Sequence, residues 1–477
     1  MSWTDVAAAS PELALTVTAF LVLLYDAWVT GPALEAPRGW GAAWVSLAGV
    51  CAAFALNASP PAAPVAFGGM YVRDHLTQAI TLAALAATGL TVLLSPGYLR
   101  RFRLPAGEYY ALLLFSAVGA ILMGAARNLV VLFLGLEILS FPLYTLSALA
   151  IRSRRSQEAG LKYLLLGAFG TAFFVYGIAL MYGATGTLDL SQLAQAPSTP
   201  LLGVGIGLLT IGLGFEAALV PFHAWAPDVY EGAPLPVTAF MSVVAKVGAF
   251  AGFLRVFPLA LPALANEWSA MFVVVSIATM IWGNLAALFQ TNLKRLLAYS
   301  SIAHAGYMLI GVASPGPAGT LGVLYYLVVY AVMNLGAFGV LLLLERRGEE
   351  ADDIEDLGGL WGRAPWAAGI LALCMVSLAG LPPTGGFIAK LYLFRAALED
   401  GHTTLAIVAV LTSVVSVYYY LRVAVAAFSG RAPDAVAAGR NAAVGVALAL
   451  AAAGVLWFGI LPSSLTAFMQ QAVQALK

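Results

Sequence analysis

Apolar stretches of roughly twenty residues recur along this chain from one end to the other. Each is about as long as a helix must be to cross the ~30 Å hydrocarbon core of a bilayer. About fourteen can be delimited, at approximately 11–30, 40–58, 75–96, 107–126, 128–151, 158–184, 200–229, 235–256, 267–289, 293–313, 318–344, 365–399, 402–429 and 440–466. In hydrocarbon the backbone must satisfy its own hydrogen bonds, so only helices and closed barrels span. The alternating ten-residue pattern of barrel strands is missing, which leaves an all-α polytopic membrane protein. Charge content agrees: 10% of residues are charged, against about 25% in a soluble domain. Ser2 to Ser10 carry no basic residue, so no removable leader is expected.

Two of the windows, 200–229 and 365–399, are too long for one simple span and contain an internal Pro or Gly break. In the first, Glu216, Pro221 and His223 interrupt an apolar run. A proline removes a backbone hydrogen bond, and charge in hydrocarbon is costly. Irregular backbone survives at membrane depth only inside protein or beside a wet cavity. The segment therefore reads as a broken helix lining an ion or proton path. The two broken windows stand five spans apart in the order, seventh and twelfth. Matching interrupted helices in two halves indicate an inverted repeat with a site at its interface. Spans four to eight form one half and nine to thirteen the other. The expected divisions are 1–106, 107–260, 261–430 and 431–477.

Lys/Arg bias sets orientation. One set of loops holds Arg38, Arg100, Arg101, Arg103, Arg152, Arg154, Arg155, Lys294, Arg295, Arg346, Arg347, Arg363, Arg431 and Arg440; the other holds Arg73, Arg127 and Arg255. The first set should face the cytoplasm, which places both termini on the outer side.

The chain lacks the means to do redox or nucleotide chemistry itself. Cys51 and Cys374 sit in apolar helices without metal spacing, so buried packing is expected for both and no iron–sulfur cluster can be held. No phosphate-binding G-x-x-x-x-G-K-[ST] loop occurs. The net charge is zero, so there is no nucleic-acid footprint.

Ionisable residues deep in spans are functional candidates by default. Glu137 lies in the fifth span, Lys162 in the first turns of the sixth, Glu216 in the broken seventh, Lys246 mid-eighth, and Lys390 after the break in the twelfth. His223 stands beside the first break and His304 mid-span in the tenth. A desolvated lysine or an imidazole can load and release a proton near neutral pH. A water-bridged series of such groups is a proton relay; structural ion pairing is the competing reading.

Leu134-Gly135-Leu136-Glu137, Pro221-Phe222-His223-Ala224-Trp225, Pro227-Asp228-Val229-Tyr230-Glu231-Gly232-Ala233-Pro234, the run Lys294–Tyr307 and Gly380-Leu381-Pro382-Pro383 together carry a resemblance. The chain resembles the antiporter-like membrane subunit N of bacterial respiratory complex I over nearly its whole length. That resemblance implies fourteen helices, two inverted five-helix repeats and proton translocation. It implies no cofactor on this chain, with flavin, iron–sulfur clusters, NADH and quinone on partner subunits. It implies other membrane subunits and a peripheral redox arm as partners, and the bacterial inner (plasma) membrane as the location. Glu137, Lys162, Lys246 and Lys390 match the family's charged positions on helices 5, 6, 8 and 12. One departure stands out: Glu216 occupies the place of a lysine before the helix 7 break. A subunit of a multisubunit cation/proton antiporter or membrane-bound hydrogenase shares this framework, and a structural subunit inactive in proton transfer is a further alternative.

Overall fold

The computed structural model describes residues 3–30, 39–59, 64–195, 197–346, 349–430, 436–439 and 441–474. Fourteen spans follow in order: α1 Ser10–Thr30, α2 Gly39–Ala58, α3 His75–Leu94, α4 Ala106–Ala125, α5 Leu129–Ser147, α6 Arg154–Thr185, α7a Pro200–Glu216 with α7b Trp225–Gly232, α8 Leu235–Leu254, α9 Ala265–Leu288, α10 Leu293–Ala313, α11 Pro317–Leu341, α12a Pro365–Ala379 with α12b Gly385–Glu399, α13 Thr403–Phe428 and α14 Ala442–Ile460. Twelve of them are long and apolar enough to cross a membrane, and the broken pair supplies the other two crossings.

Burial sorts the helices by role. The apolar windows of α8 and α11 are wholly buried and that of α10 nearly so, whereas those of α1, α6 and α14 bury only 28%. The innermost columns are therefore the ones that carry Lys246, His304 and the hydroxyls around them. Small residues let backbones approach where no hydrophobic force joins helices in lipid. A Cβ on Gly119 would lie 2.2 Å from the Leu139 nitrogen, and one on Gly283 would lie 2.6 Å from that of Ala303.

Those two contacts reveal the internal repeat. Adding 164 to Gly119 and Leu139 gives Gly283 and Ala303. The same offset relates Asn128 to Asn292 and Asp189 to Asp353. Asn128 and Asn292 cap the N-termini of α5 and α10 with their side chains. Each also forms an isolated antiparallel bridge, to Asp189 and Asp353 respectively. Five spans per unit is an odd number, so the second unit enters the membrane from the opposite side.

The two ends of the bundle are pinned by charge. At one end Arg255, 5% exposed, forks onto Asp74 with two bonds of 2.6 Å and also donates to the Gly124 carbonyl at 2.6 Å. Burial alone would raise the Asp74 carboxyl, but the guanidinium and the Thr77 amide hold it below the usual range. At the opposite end, Lys294 donates to Glu350 at 2.8 Å and to the Ala233 carbonyl at 2.6 Å.

Several expectations need correction. Lys294 is not a loop charge: it lies in the first turn of α10 and is 1% exposed. The chain after α11 adds a small sheet, in which β3 (Leu344–Arg346) pairs with β4 (Glu349–Glu350) and with β5 (Val436–Ala438). A second ribbon, β1 (Val65–Ala66) with β2 (Tyr71–Val72), precedes α3. Cys374 is buried, but Cys51 is exposed on α2. Arg38, Arg347, Arg431 and Arg440 lie outside the described residues.

Candidate functional site

Both broken helices stop for local reasons. α12a ends in a Schellman arrangement: Gly380 takes φ +81°, its N–H donates to the Ser377 carbonyl, and the Leu381 N–H donates to the Val376 carbonyl. The Ala379 carbonyl is thereby left without a helical partner. It accepts from Lys390 Nζ at 2.8 Å, and Ser413 Oγ accepts from the same ammonium at 2.9 Å. The ammonium also lies 4.7 Å from the centre of the Tyr307 ring. A helix C-terminus, a hydroxyl and an aromatic face all favour a cation. α7a ends in the same way: Ala218 takes φ +59°, its N–H donates to the Phe215 carbonyl, and the Leu219 N–H donates to the Gly214 carbonyl. Beyond it the Val220 N–H donates to Thr279 Oγ1 on α9 at 3.1 Å. The Phe215 carbonyl also accepts from Trp225 Nε1 at 2.9 Å.

Glu216, the last residue of α7a, is 2% exposed. Its Oε2 accepts from Ser140 Oγ at 3.0 Å, while Oε1 has no protein partner. Glu137 accepts from Thr171 at 2.7 Å. Lys246 is 1% exposed on α8. Glu216 interacts electrostatically with both Glu137 and Lys246. His304 interacts in the same way with both Lys246 and Lys390. These four interactions set five groups in the order Glu137, Glu216, Lys246, His304, Lys390, running from α5 in one repeat to α12b in the other.

His304 is anchored at both ring nitrogens. Tyr326 stands 2.6 Å from Nδ1 and Tyr420 2.9 Å from Nε2, with Ser300 2.5 Å beyond the Tyr420 hydroxyl. Further hydroxyls continue the polar seam: Tyr330 donates to Ser301 at 2.9 Å, and Asn334 donates to Ser242 at 2.5 Å, one turn before Lys246. Sequence reasoning singled out none of these hydroxyls. A serine or threonine in a span usually bonds back to its own helix, as Thr81, Thr88, Thr91 and Ser147 do here. Ser140, Thr171 and Ser413 reach across helices instead, and their composition does not announce it.

Two candidate residues lie off this line. Lys162 is not buried: its side chain is 41% exposed and pairs at 2.8 Å with both Glu158 and Asp228. It is therefore not the counter-ion of Glu216. Asp228 is shared with Arg295 at 2.8 Å, and Arg295 also reaches Glu231 at 2.9 Å. This network ties α6 and α7b to α10, joining the two repeats near the basic end of the bundle. His223 sits in the segment between α7a and α7b, edge-on to Trp282 at 5.8 Å, with Nδ1 unbonded. Neither residue is hydrogen-bonded to the five groups above. Among the described residues, no group of three or more His, Cys, Asp or Glu could hold a metal ion.

Residues 126–416, which include all seven candidate residues, match the family described as NADH:quinone oxidoreductase/Mrp antiporter, TM. The chain is 43% identical to NADH-quinone oxidoreductase subunit N of Trichlorobacter lovleyi, covering 97% of this chain and 96% of that protein. It is 41% identical to NADH-quinone oxidoreductase subunit N of Desulfovibrio desulfuricans, covering 97% and 95%. Among solved structures, a chain of respiratory complex I from Thermus thermophilus with bound Aureothin superposes with a TM-score of 0.82 at 37% identity, over 96% of this chain and 98% of that one. A chain of the Mrp complex from Dietzia shares the fold, with a TM-score of 0.82 at 23% identity over 98% and 97%. The chain belongs to the NADH:quinone oxidoreductase/Mrp antiporter family and, within it, groups with the N subunits of NADH-quinone oxidoreductases.

Proposed function

We propose that this chain translocates protons as a membrane subunit of respiratory complex I, driven by NADH:quinone electron transfer on partner subunits. The observation that supports this most is the series of half-buried Glu137 with buried Glu216, Lys246, His304 and Lys390, linked by electrostatic interaction across the repeat interface. Each is a group that can bind and release a proton. Hydroxyls of Ser140, Tyr326, Tyr420 and Ser413 stand at hydrogen-bond distance from them. Identity above 40% to N subunits favours this reading over a cation/proton antiporter subunit.

In this reading Lys390 holds the proton at the second break, and His304 connects it to Lys246. Glu216 and Glu137 serve the first repeat. Lys162 acts structurally, through Asp228. The units are 1–106, 107–260, 261–430 and 431–477. The basic end faces the cytoplasm of a bacterial cell, and both termini lie on the outer side of its plasma membrane. Flavin, iron–sulfur clusters, NADH and quinone belong to partner subunits.

The test is proton pumping by the reconstituted complex. Lys246→Ala should leave assembly intact and depress pumping, and Lys246→Arg should not restore it, because a guanidinium keeps its proton. Wild-type pumping in both variants would remove Lys246 from the path.

A further inference from the structure

A cavity of about 320 Å³ opens at the basic end of the bundle, between the end of α3, the short helix Pro96–Phe102, the end of α11 and the start of α14. It lies outside the series of ionisable groups described above. Its volume is about ten water molecules' worth of space. Arg100, Arg101 and Asn441 supply polar groups, and Leu94, Leu342 and Val444 supply apolar wall.

The available polar groups are donors. Arg100 is exposed and makes no side-chain hydrogen bond or ion pair among the described residues. Arg101 uses Nε on Glu345 at 3.3 Å, and its side chain is 28% exposed. One of its terminal nitrogens lies beside Gly439, 3.5 Å from where a Cβ would stand. Asn441 commits its Oδ1 to the Ala443 and Val444 amides at the start of α14, which leaves its amide nitrogen as a donor. That nitrogen leans over Gly97, 2.2 Å from the place a Cβ would take. Two guanidinium groups and an amide donor face one carboxylate, Glu345, so the cavity's net character is cationic.

We propose that this cavity seats the phosphate-bearing headgroup of an anionic phospholipid. Guanidinium forks match phosphate oxygens bidentately, and basic pockets between spans on the cytoplasmic side take lipid headgroups. The space fits a headgroup and not acyl chains. Those have a path along the outer face of α14, where Val446 and Leu450 are 53% and 54% exposed, one turn apart. A lipid arrives at this depth already anchored, whereas free phosphate has nothing apolar to hold it there.

The site touches the hairpin that follows α11. Tyr98, in the cavity wall, donates to Glu350, the acid that pairs with buried Lys294. Arg101 holds Glu345 on the neighbouring strand. Headgroup binding therefore competes with Glu345 for Arg101, and the two side chains have opposite effects on affinity.

The test uses the whole complex in two kinds of nanodisc: phosphatidylcholine alone with inorganic phosphate in the buffer, and phosphatidylcholine containing phosphatidylglycerol. Structure determination should show phosphate density bridging Arg100 and Arg101 only in the second. Native mass spectrometry should show retained phosphatidylglycerol weakened about tenfold or more in Arg100→Gln and in Arg101→Gln. Glu345→Gln should strengthen it. Arg100 has no structural partner among the described residues, so its variant reports binding without a folding defect. An unfilled cavity in phosphatidylglycerol discs, filling by inorganic phosphate alone, or unchanged retention in Arg100→Gln would each overturn the assignment.

Discussion

Gly380→Ala isolates the second break from the rest of the molecule. Gly380 sits at φ +81°, where a residue with a Cβ costs about 1–2 kcal/mol. The larger consequence falls on Lys390. A Cβ at position 380 would lie 2.6 Å from Lys390 Cδ and 3.1 Å from both Cε and Nζ. The ammonium must shift, and its bonds to the Ala379 carbonyl and Ser413 shift with it. Hydrogen bonds to a charged group contribute about 1.5–3 kcal/mol each, so the charged form loses about 3–6 kcal/mol. At about 1.4 kcal/mol per factor of ten, charging Lys390 becomes at least about a hundredfold harder. The assay is dye-monitored acidification in proteoliposomes, with NADH:quinone turnover read in parallel and assembly checked on native gels. Protons moved per NADH should fall sharply. Ser413→Ala, which removes one bond without straining the backbone, should give a smaller loss in the same direction. Gly369→Ala is the control: a Cβ there meets nothing within 4 Å, and helix propensity alone predicts a gain of up to about 1 kcal/mol. Full pumping by an assembled Gly380→Ala complex would refute the role given to Lys390.

Glu216→Gln keeps a group that can accept from Ser140 and leaves Lys162 with its own partners, so the complex should assemble while pumping is lost; normal pumping would place Glu216 outside the path. Asp228→Asn strips a shared acid from Lys162 and Arg295; because both cations are partly exposed, the expected stability loss is modest, up to about 1 kcal/mol per pair, and a thermal-shift measurement showing several times that would mean the network bears more than this geometry gives it. Asp74→Asn leaves Arg255 buried without its carboxylate, which should cost about 3–5 kcal/mol at neutral pH. The folded carboxyl of Asp74 is held low, so its contribution is complete above the unfolded value of about 3.9 and fades as pH falls through the lower folded one. Melting temperatures of wild type and Asp74→Asn should accordingly differ at pH 7 and converge in strong acid; a difference that persists there would contradict the clamp.

The spans were legible because hydrophobic length is a strong constraint in a bilayer. The breaks were legible because Pro221 and Pro382-Pro383 stand inside apolar runs. Charges at depth marked Glu137, Glu216, Lys246 and Lys390 for the same reason. Lys162 misled because hydropathy does not see where a long helix emerges. α6 runs 32 residues, roughly 48 Å at 1.5 Å per residue, well beyond the hydrocarbon thickness, so its first turns extend past the core. Lys294 misled in the opposite sense: it stands among loop charges in the sequence, yet the hairpin acid Glu350 folds over it and buries the pair. Glu158, four residues away, supplies one partner of Lys162. Its other partner, Asp228, and the Glu350 that pairs with Lys294 lie 66 and 56 residues away, and only the tertiary fold brings them there.

The repeat offers a way to compare the two halves position by position. Under the offset of 164, Ser140 corresponds to His304; at the breaks the caps match at an offset of 162, so Ala218 corresponds to Gly380 and Glu216 to Leu378. In the first half a serine donates to an acid that ends α7a. In the second, an imidazole stands where the serine was, and a leucine, Leu378, stands where the acid was. The charge has moved past the break to Lys390, which reaches back to the carbonyl that the ending helix exposes. The empty space at Gly380 is what admits the Lys390 stem. In the first half the ending helix is met by the indole of Trp225, on the Phe215 carbonyl. One backbone device, a helix interrupted inside the protein, thus presents an acid before the break in one repeat and a base after it in the other. Lys246 and His304 lie between the two, on helices with almost no exposed surface. A proton passing from Glu216 to Lys390 would cross the interface between the repeats there, so substitutions at Lys246 or His304 should affect both halves, whereas those at Glu137 or Ser413 should act first on their own.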